Sequence, residues 1–249
     1  MIHGLDCDKA GAMTIIAILF DKDGTLLDFN ATFAPATAKV LAALANGDAE
    51  QQTRLAAAVD FDLASDAILP GSVLVAGSLE NIAEALLPHT GHGDLATCLG
   101  VVDGLYVKYS LESLAAFPFL DSALDELAAM ELELGIATND SEEAAYAHLD
   151  QMGITSRFGY IAGFDSGYGE KPQPGMVSAF VEKLGLDARQ VMMVGDSPHD
   201  LKAGNAAGTI SVGVTSGGAT ADQLAPFADH IVDDVSHLAA LVQRLNSAA

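Results

Sequence analysis

The most informative segment of the chain lies near its amino terminus and reads Ile15-Ile16-Ala17-Ile18-Leu19-Phe20-Asp21-Lys22-Asp23-Gly24-Thr25-Leu26. It begins with a run of apolar residues, which predicts a buried strand in a sheet covered on both faces. Two carboxylates follow two positions apart, and Gly24 then allows a sharp turn. Because side chains two apart in an extended chain project to the same side, we expect Asp21 and Asp23 to converge on one bound group.

The same carboxylates and glycine also fit a simple turn, because aspartate often ends a strand by hydrogen-bonding its own backbone. A calcium-binding EF-hand loop is excluded, since it would need a glycine where Leu26 stands and a helix in place of the strand. The segment by itself therefore leaves a turn and a ligand site as alternatives. In an open parallel sheet, such a ligand would lie at the carboxyl ends of the strands.

The composition limits the class of protein. The chain has 249 residues, 50% of them apolar, which is enough for one large domain or for a domain with an insert. Cys7 and Cys98 form neither a disulfide framework nor a metal-ligand spacing, which predicts a reduced, cytoplasmic location. No apolar run reaches the roughly 18 residues of a membrane span. Residues 1–12 do not resemble a signal peptide, and we expect them to form a loosely packed extension outside the fold.

The charge limits the kinds of partner. The formal net charge of −23 argues against nucleic acid and anionic membrane surfaces, which bind to clustered lysine and arginine. A small anionic substrate stays compatible with this charge, because salt screens exposed charges beyond about 8–10 Å and a bound metal ion can dominate inside a cleft. The oligomeric state is left open.

The predicted secondary structure changes character once along the chain, from helices alone to alternating helices and strands. Residues 30–116 show helical patterns and no strand pattern, and the predicted helices cover 34–45, 49–59, 72–87 and 95–115. From residue 121 onward, helices and strands alternate, which is typical of a parallel sheet with helices on both faces. The predicted strands of this second region cover 132–138, 160–164, 191–194, 209–214 and 230–232.

The sequence therefore predicts an α/β fold, a Rossmann-like doubly wound parallel sheet with an inserted all-helical cap domain. The first strand must join the later ones, because a lone strand does not stand without a sheet. We expect a discontinuous core of residues 13–29 and 117–249 and a helical cap of residues 30–116. The segments 28–30 and 117–119 cross between the two, and we expect the hinge there.

Polar side chains that suit phosphoryl transfer lie at predicted strand ends or just ahead of a helix. They are Asp21, Asp23, Thr138, Asn139, Lys171, Asp196 and Asp200. This set offers carboxylates for a hard metal ion and a nucleophile, polar groups for phosphate oxygens and a neutralising lysine. Each group also has a structural explanation by itself, as a helix cap, a solvated loop residue or a partner of a helix amino end. Their occurrence together favours a site.

Four motifs resemble those of the haloacid dehalogenase superfamily. They are Phe20-Asp21-Lys22-Asp23-Gly24-Thr25-Leu26, Thr138-Asn139, Lys171-Pro172 and Gly195-Asp196-Ser197-Pro198-His199-Asp200. The layout is most similar to the phosphoglycolate phosphatase-like branch, which has a helical cap after the first motif. The resemblance implies a Mg²⁺-dependent phosphomonoester hydrolase, a phosphatase, that acts on a small phosphorylated metabolite, with phosphoglycolate as one candidate.

The resemblance also implies roles for the reacting groups. Asp21 would attack phosphorus and form an aspartyl-phosphate, which splits hydrolysis into two easier steps. Asp23 would protonate the leaving oxygen and later take a proton from the attacking water. Thr138 and Asn139 would hold the phosphoryl oxygens, and Lys171 would offset negative charge.

The metal site is implied in the same way. Asp21, the backbone carbonyl of Asp23 and Asp196 would ligate Mg²⁺, and Asp200 would orient that shell. Lys22 departs from the apolar residue that is usual between the two aspartates. From strand alternation we expect its side chain to point away from both carboxylates.

Specificity is expected to come from the cap, whose few lysines and arginines are Lys39, Arg54 and Lys108. One of them could bind a substrate carboxylate, with Arg54 best suited to a bidentate contact. The alternative is that all three are solvated at the surface. The pair Gly217-Gly218 is expected to be a loop and not a phosphate cradle, because no helix clearly starts there.

Three alternative functions stay open. A phosphomutase would pass the aspartyl-phosphate back to a sugar, and it would need the cap to exclude water. A phosphonate-cleaving enzyme would need a cap lysine that forms a Schiff base, for which Lys39 is the nearby candidate. A non-catalytic binding protein would keep the fold without turnover.

Overall fold

The structure of the protein is a computed structural model that describes residues 14–248. The predicted extension at residues 1–12 lies outside the described residues. The described strands are β1 Ala17–Phe20, β2 Phe61–Asp62, β3 Ala67–Ile68, β4 Glu133–Ala137, β5 Tyr160–Ala162, β6 Val191–Gly195, β7 Ile210–Val214 and β8 His230–Val232. The helices are α1 Phe29–Ala45, α2 Ala49–Ala58, α3 Val73–Ala76, α4 Leu79–Thr90, α5 Leu95–Glu112, α6 Leu120–Ala129, α7 Glu142–Met152, α8 Gly175–Leu184, α9 Pro198–Ala207, α10 Ala221–Leu224 and α11 Leu238–Ser247.

Six strands form one sheet in the order β5-β4-β1-β6-β7-β8, and every neighbouring pair is parallel. The chain builds outward from β1 to β4 and β5, and then crosses back to place β6 on the other side of β1. The order of the strands therefore reverses beside β1, which is where open α/β sheets bind ligands. The predicted doubly wound parallel sheet is confirmed.

Both faces of the sheet are covered, as the apolar run before Asp21 predicted. Ala17 and Leu19 point into a cluster formed with α8 and α9, whereas Ile18 and Phe20 point into a cluster formed with α6, α7 and α11. All four residues of β1 are fully buried. A strand in this position cannot alternate between apolar and polar residues, because neither of its faces meets water.

The segment between β1 and α6 is a helical block of α1 to α5 around an apolar cluster. Helix α1 begins at Phe29, earlier than predicted, because the side chain of Asp28 accepts a hydrogen bond from the amide of Ala31 at 3.0 Å and caps it. The predicted helix at 72–87 is two helices, since the chain breaks at Gly77 and Ser78 caps α4.

The expectation that residues 30–116 contain no strand was wrong. Strands β2 and β3 form a short antiparallel hairpin in this region. Two-residue strands are too short to produce an alternating pattern in the sequence. Asp60, just before β2, and Asp66, just before β3, have left-handed backbones that bend the chain at these two positions.

The two segments that connect the sheet to the helical block run side by side. Leu27 and Ala116 form an isolated antiparallel bridge, and the amide of Asp28 donates to the carbonyl of Ala115 at 2.8 Å. Phe117 donates back to Leu26 at 3.4 Å. We keep as a proposal that these segments are the hinge between a core of residues 13–29 and 117–249 and a cap of residues 30–116. No helix among residues 14–248 is long and apolar enough to cross a membrane.

A buried polar contact joins the helical block to the sheet region. His148 on α7 lies 2.6 Å from the hydroxyl of Ser110 on α5 through Nε2, and 2.9 Å from the ammonium of Lys22 through Nδ1. Because Ser110 donates its one proton to the carbonyl of Tyr106 at 2.6 Å, Nε2 must be the donor to Ser110 and Nδ1 the acceptor from Lys22. Burial and the nearby Lys22 charge lower the pKa of His148 to about 3, so the ring is neutral.

The neutral state of His148 predicts a pH dependence of stability. Its pKa is about 3 in the fold and 6.5 in the unfolded chain, so the unfolded chain binds more protons between these values. The stability contributed by the neutral ring is present above pH 6.5 and is lost as the pH falls. Between pH 7 and 5.5 this amounts to about 1 kcal/mol. His148→Gln keeps an acceptor and a donor but does not titrate, so its free energy of unfolding should fall by about 1 kcal/mol less over that interval.

Urea unfolding of both proteins at pH 7 and pH 5.5 measures this difference. Other groups titrate in the same range, and the comparison removes their common contribution. An equal pH dependence in the two proteins would contradict a buried neutral His148.

Candidate active site

The carboxyl ends of β1, β4 and β6 meet at one edge of the sheet, beneath the helical block. A cavity of about 110 Å³ opens there. All of the site residues predicted from the sequence line it, namely Asp21, Asp23, Thr138, Asn139, Lys171, Asp196 and Asp200. Their convergence follows from the topology, because the elements that precede them are neighbours in the sheet although they are far apart in the sequence.

Lys171 is the central cation of the site. Its ammonium lies 2.5 Å from Oδ1 of Asp21, 2.6 Å from Oδ1 of Asp200 and 2.7 Å from the carbonyl of Ala137. These contacts use all three of its protons, and the side chain is almost completely buried. Burial alone would lower the pKa of Lys171, but the carboxylates of Asp200 and Asp21 outweigh burial and raise it. The lysine is therefore a fixed positive charge.

Asn139 holds the loop that presents this lysine. Its Oδ1 accepts from the backbone amide of Lys171 at 2.9 Å, and its Nδ2 donates to the Lys171 carbonyl, also at 2.9 Å. The predicted contact of Asn139 with phosphate oxygens stays a prediction. What its side chain does in this structure is to fix the backbone of Lys171 opposite the end of β4.

Three carboxylates lie close together beside Lys171. Oxygen atoms of Asp21, Asp196 and Asp200 all lie within 4.8 Å of one another. Burial raises the pKa of Asp21 to about 6, with Lys171 lowering it and Asp200 adding to the rise. Burial and the repulsion of Asp21 and Asp200 raise the pKa of Asp196 well above its ordinary value.

This carboxylate set fits a hard divalent cation. Carboxylate oxygens are the ligands that Mg²⁺ and Ca²⁺ prefer, and a bound cation would offset the repulsion that raises these pKa values. Asp200 is held from behind by the amide of Ser197 at 3.0 Å and its hydroxyl at 2.7 Å, and its other oxygen binds Lys171. Asp21 and Asp196 have fewer protein donors, which leaves them better placed to bind a metal.

Two glycines enclose Asp196 closely. A Cβ built on Gly217 would lie 1.8 Å from Oδ2 of Asp196, and a Cβ on Gly24 would lie 2.5 Å from the same atom. The amide of Gly218 donates to that oxygen at 2.9 Å. The pair Gly217-Gly218 is thus a loop, as predicted, but it also orients a site carboxylate. Its position just beyond β7, at the same sheet edge, is the signal that sequence analysis did not use.

Asp23 lies across the cavity from this group. One of its oxygens accepts from the ammonium of Lys22, and the other makes a long contact of 3.5 Å with the hydroxyl of Thr138. Burial raises the pKa of Asp23 to about 8, Lys22 lowers it, and the carboxylates of Asp140 and Asp21 raise it further. A carboxyl group with this pKa can hold a proton at neutral pH, as a general acid must.

The expectation that Lys22 points away from both aspartates was wrong for Asp23. The regular strand ends at Phe20, so strand alternation no longer directs the Lys22 side chain. Its ammonium contacts Asp23, lies 2.8 Å from Asp140 and 2.9 Å from His148, and is fully buried. Sequence analysis missed the last two residues. The available signal was Lys22 itself, since a lysine in a buried segment requires a carboxylate partner.

The helical block supplies a mostly apolar wall to the cavity. Its lining side chains include Phe29, Phe33, Leu74, Leu79, Ile82 and Tyr106. Of the three cationic residues considered for substrate binding, Lys39 pairs with Glu112 at 2.7 Å and Arg54 pairs with Glu50 at 2.9 Å. The Lys108 ammonium lies 4.6 Å from the centre of the Tyr109 ring. In the described part of the chain, none of the three lines the cavity.

Comparison with known proteins places the chain among relatives with this architecture. The sequence matches the haloacid dehalogenase-like hydrolase family over residues 15–208. The phosphoglycolate phosphatase of Yersinia pestis is 31% identical over 212 residues, which cover 82% of each chain.

Solved structures agree in fold. A predicted phosphoglycolate phosphatase from Haemophilus somnus 129pt superimposes with a TM-score of 0.71 at 22% identity, covering 94% of this chain and 100% of the other. The β-phosphoglucomutase of Clostridium difficile does so with a TM-score of 0.65 at 19% identity, covering 94% and 98%. Because the family match runs from β1 to the end of α9, and a relative is 31% identical over most of both chains, this chain belongs to the haloacid dehalogenase-like hydrolases.

Proposed function

We propose that the protein is a Mg²⁺-dependent phosphomonoester hydrolase that acts through an aspartyl-phosphate on Asp21. The observation that supports this most directly is the arrangement around Asp21. A buried ammonium, Lys171, lies 2.5 Å from one of its oxygens, and two further carboxylates lie beside it. Asp23, whose pKa is raised to about 8, lines the same cavity. A nucleophile, a proton donor and a fixed cation thus share one small space.

The chemistry follows from these positions. An oxygen of Asp21 attacks phosphorus and forms a new P–O bond, while the bond to the leaving oxygen breaks and Asp23 supplies its proton. Water then attacks the same phosphorus, gives a proton to Asp23 and frees the Asp21 carboxylate. Thr138 and Asn139 would hold the phosphoryl oxygens, and the fixed charge of Lys171 would offset their negative charge, since donors and positive charge near the reacting group lower the barrier.

The proposed metal ligands are Asp21, the backbone carbonyl of Asp23 and Asp196, with Asp200 orienting them. When bound, Mg²⁺ would neutralise the charge of the phosphoryl group and of the crowded carboxylates. The protein contributes the orientation of these oxygens, since Gly218 holds Asp196 and Ser197 holds Asp200.

The substrate is proposed to be a small phosphorylated metabolite. The name of the Yersinia pestis relative supports phosphoglycolate as a candidate. The apolar lining from the helical block favours a different candidate, a substrate whose organic part is uncharged, because the carboxylate of phosphoglycolate would need a cationic partner there. A cytoplasmic location stays a prediction.

The reaction class predicts a metal-dependent turnover that requires Asp21. Phosphate release from p-nitrophenyl phosphate should occur with Mg²⁺, and should fall to the background rate with excess EDTA or in Asp21→Asn. Asp125→Asn, which changes an aspartate at an exposed helical position, is the matched control and should retain wild-type activity.

Three outcomes would count against this proposal. Turnover that persists in Asp21→Asn would place the nucleophile elsewhere. Turnover that is unchanged by EDTA would show that the reaction does not require Mg²⁺. Conversion of a sugar phosphate into its isomer without phosphate release would favour a phosphomutase.

The cavity lining also predicts which residues of the helical block affect substrate binding. Arg54→Ala should leave the KM for phosphoglycolate within about twofold of wild type, because its guanidinium pairs with Glu50 outside the cavity. Phe33→Ala removes a ring that lines the cavity and should raise KM for any accepted ester by about tenfold. Steady-state kinetics of the three proteins decide this. A selective rise in KM for phosphoglycolate in Arg54→Ala would show that Arg54 reaches the substrate.

A further inference from the structure

The buried ammonium of Lys22 is the feature that the proposed reaction does not yet explain. The side chain has no exposed surface, and its charge lies next to Asp23. Removing an ammonium from water is costly unless it is fully paired. A buried ammonium at this position therefore needs a set of hydrogen-bonding partners around it.

That partner set is complete. The three protons of the ammonium go to an oxygen of Asp23, to Oδ2 of Asp140 at 2.8 Å and to Nδ1 of His148 at 2.9 Å. The ring of Phe33 lies 5.6 Å away, within cation–π range. The ligand atoms of Asp23, Asp140 and His148 lie within 4.8 Å of one another, a spacing that suits a metal ion. In this protein the ammonium of Lys22 takes that position.

From His148, the hydrogen bonds continue into the helical block. His148 donates from Nε2 to Ser110, and Ser110 donates to the Tyr106 carbonyl of α5. Both ring nitrogens of His148 and all three protons of the Lys22 ammonium are paired, which restrains the rotation of both groups. The other oxygen of Asp23 has only the 3.5 Å contact with Thr138. Lys22 is thus the main group that orients the Asp23 carboxyl.

We propose that Lys22 is a positioning residue that holds the carboxyl of Asp23 towards the leaving oxygen, and that His148 of α7, itself held by Ser110 of α5, fixes Lys22. The proposal rests on the proposed function, in which Asp23 is the general acid. Without the ammonium, Asp23 would face the carboxylates of Asp140 and Asp21 with the weak Thr138 contact as its remaining restraint. It would turn away from them and from the leaving oxygen.

The consequence should depend on the ester. An alkoxide is a poor leaving group and needs the proton of Asp23, whereas p-nitrophenolate leaves without much protonation. In Lys22→Met, the single-turnover rate of phosphoryl transfer from ethyl phosphate should fall at least about tenfold more than the rate from p-nitrophenyl phosphate. Rapid quenching with Mg²⁺ and a saturating excess of enzyme over substrate measures both rates. Lys183→Met, which changes an exposed lysine on α8, is the matched control and should leave the ratio of the two rates unchanged.

His148 provides a second, independent variant. His148→Leu keeps Lys22 but removes its third acceptor, so the ratio should shift in the same direction by a smaller factor. His148→Gln restores an acceptor and a donor and should return the ratio towards that of wild type. An equal loss for both esters in Lys22→Met and His148→Leu would overturn the proposal, because it would reveal general damage to the fold.

Transfer rates that stay at the wild-type value for both esters in both variants would also overturn the proposal. Failure of the proposed function looks different. Wild-type protein would then show no turnover that depends on Asp21, whereas an active wild type with an unchanged ratio defeats the role of Lys22 alone.

Discussion

Buried negative charge is the constraint on which the rest of this structure depends. The carboxylates of Asp21, Asp23, Asp140, Asp196 and Asp200 gather at one edge of the sheet, and the two buried ammonium groups among them belong to Lys22 and Lys171. Such a concentration of like charge is unfavourable without compensating cations. The compensation of this charge is divided between two lysines: Lys171 pairs with Asp21 and Asp200, and Lys22 pairs with Asp23 and Asp140.

This division separates two chemical environments in one small cavity. On one side, Asp21, Asp196 and Asp200 have oxygens close enough to share a divalent cation. Around Asp23, a lysine takes the place of such an ion, and burial raises the pKa of Asp23 to about 8 although Lys22 lowers it. In the proposed reaction the nucleophile must be ionised and the general acid must be protonated, so Asp21 and Asp23 would need different surroundings although they are two residues apart.

The helical block forms the apolar wall of the cavity. It contributes apolar side chains to the cavity and one polar connection, from Ser110 to His148, to the groups beneath it. Its lysines and Arg54 are paired with or packed against residues of the block itself and lie away from the cavity. The sheet edge therefore contributes the charged groups of the cavity, and the helical block contributes its apolar lining.

The local sequence by itself determined the strand before Asp21, the alternation of helices and strands after residue 121 and seven of the polar residues that line the cavity, because apolar runs and motif spacings are properties of neighbouring residues. It did not determine the two-residue hairpin β2–β3, the pairing of Arg54 with Glu50, or the partners of Lys22. Asp140 and His148 come from a loop and a helix more than a hundred residues after Lys22. Only the folded sheet brings them together, since a buried charge selects its partners by distance in space and not by distance along the chain.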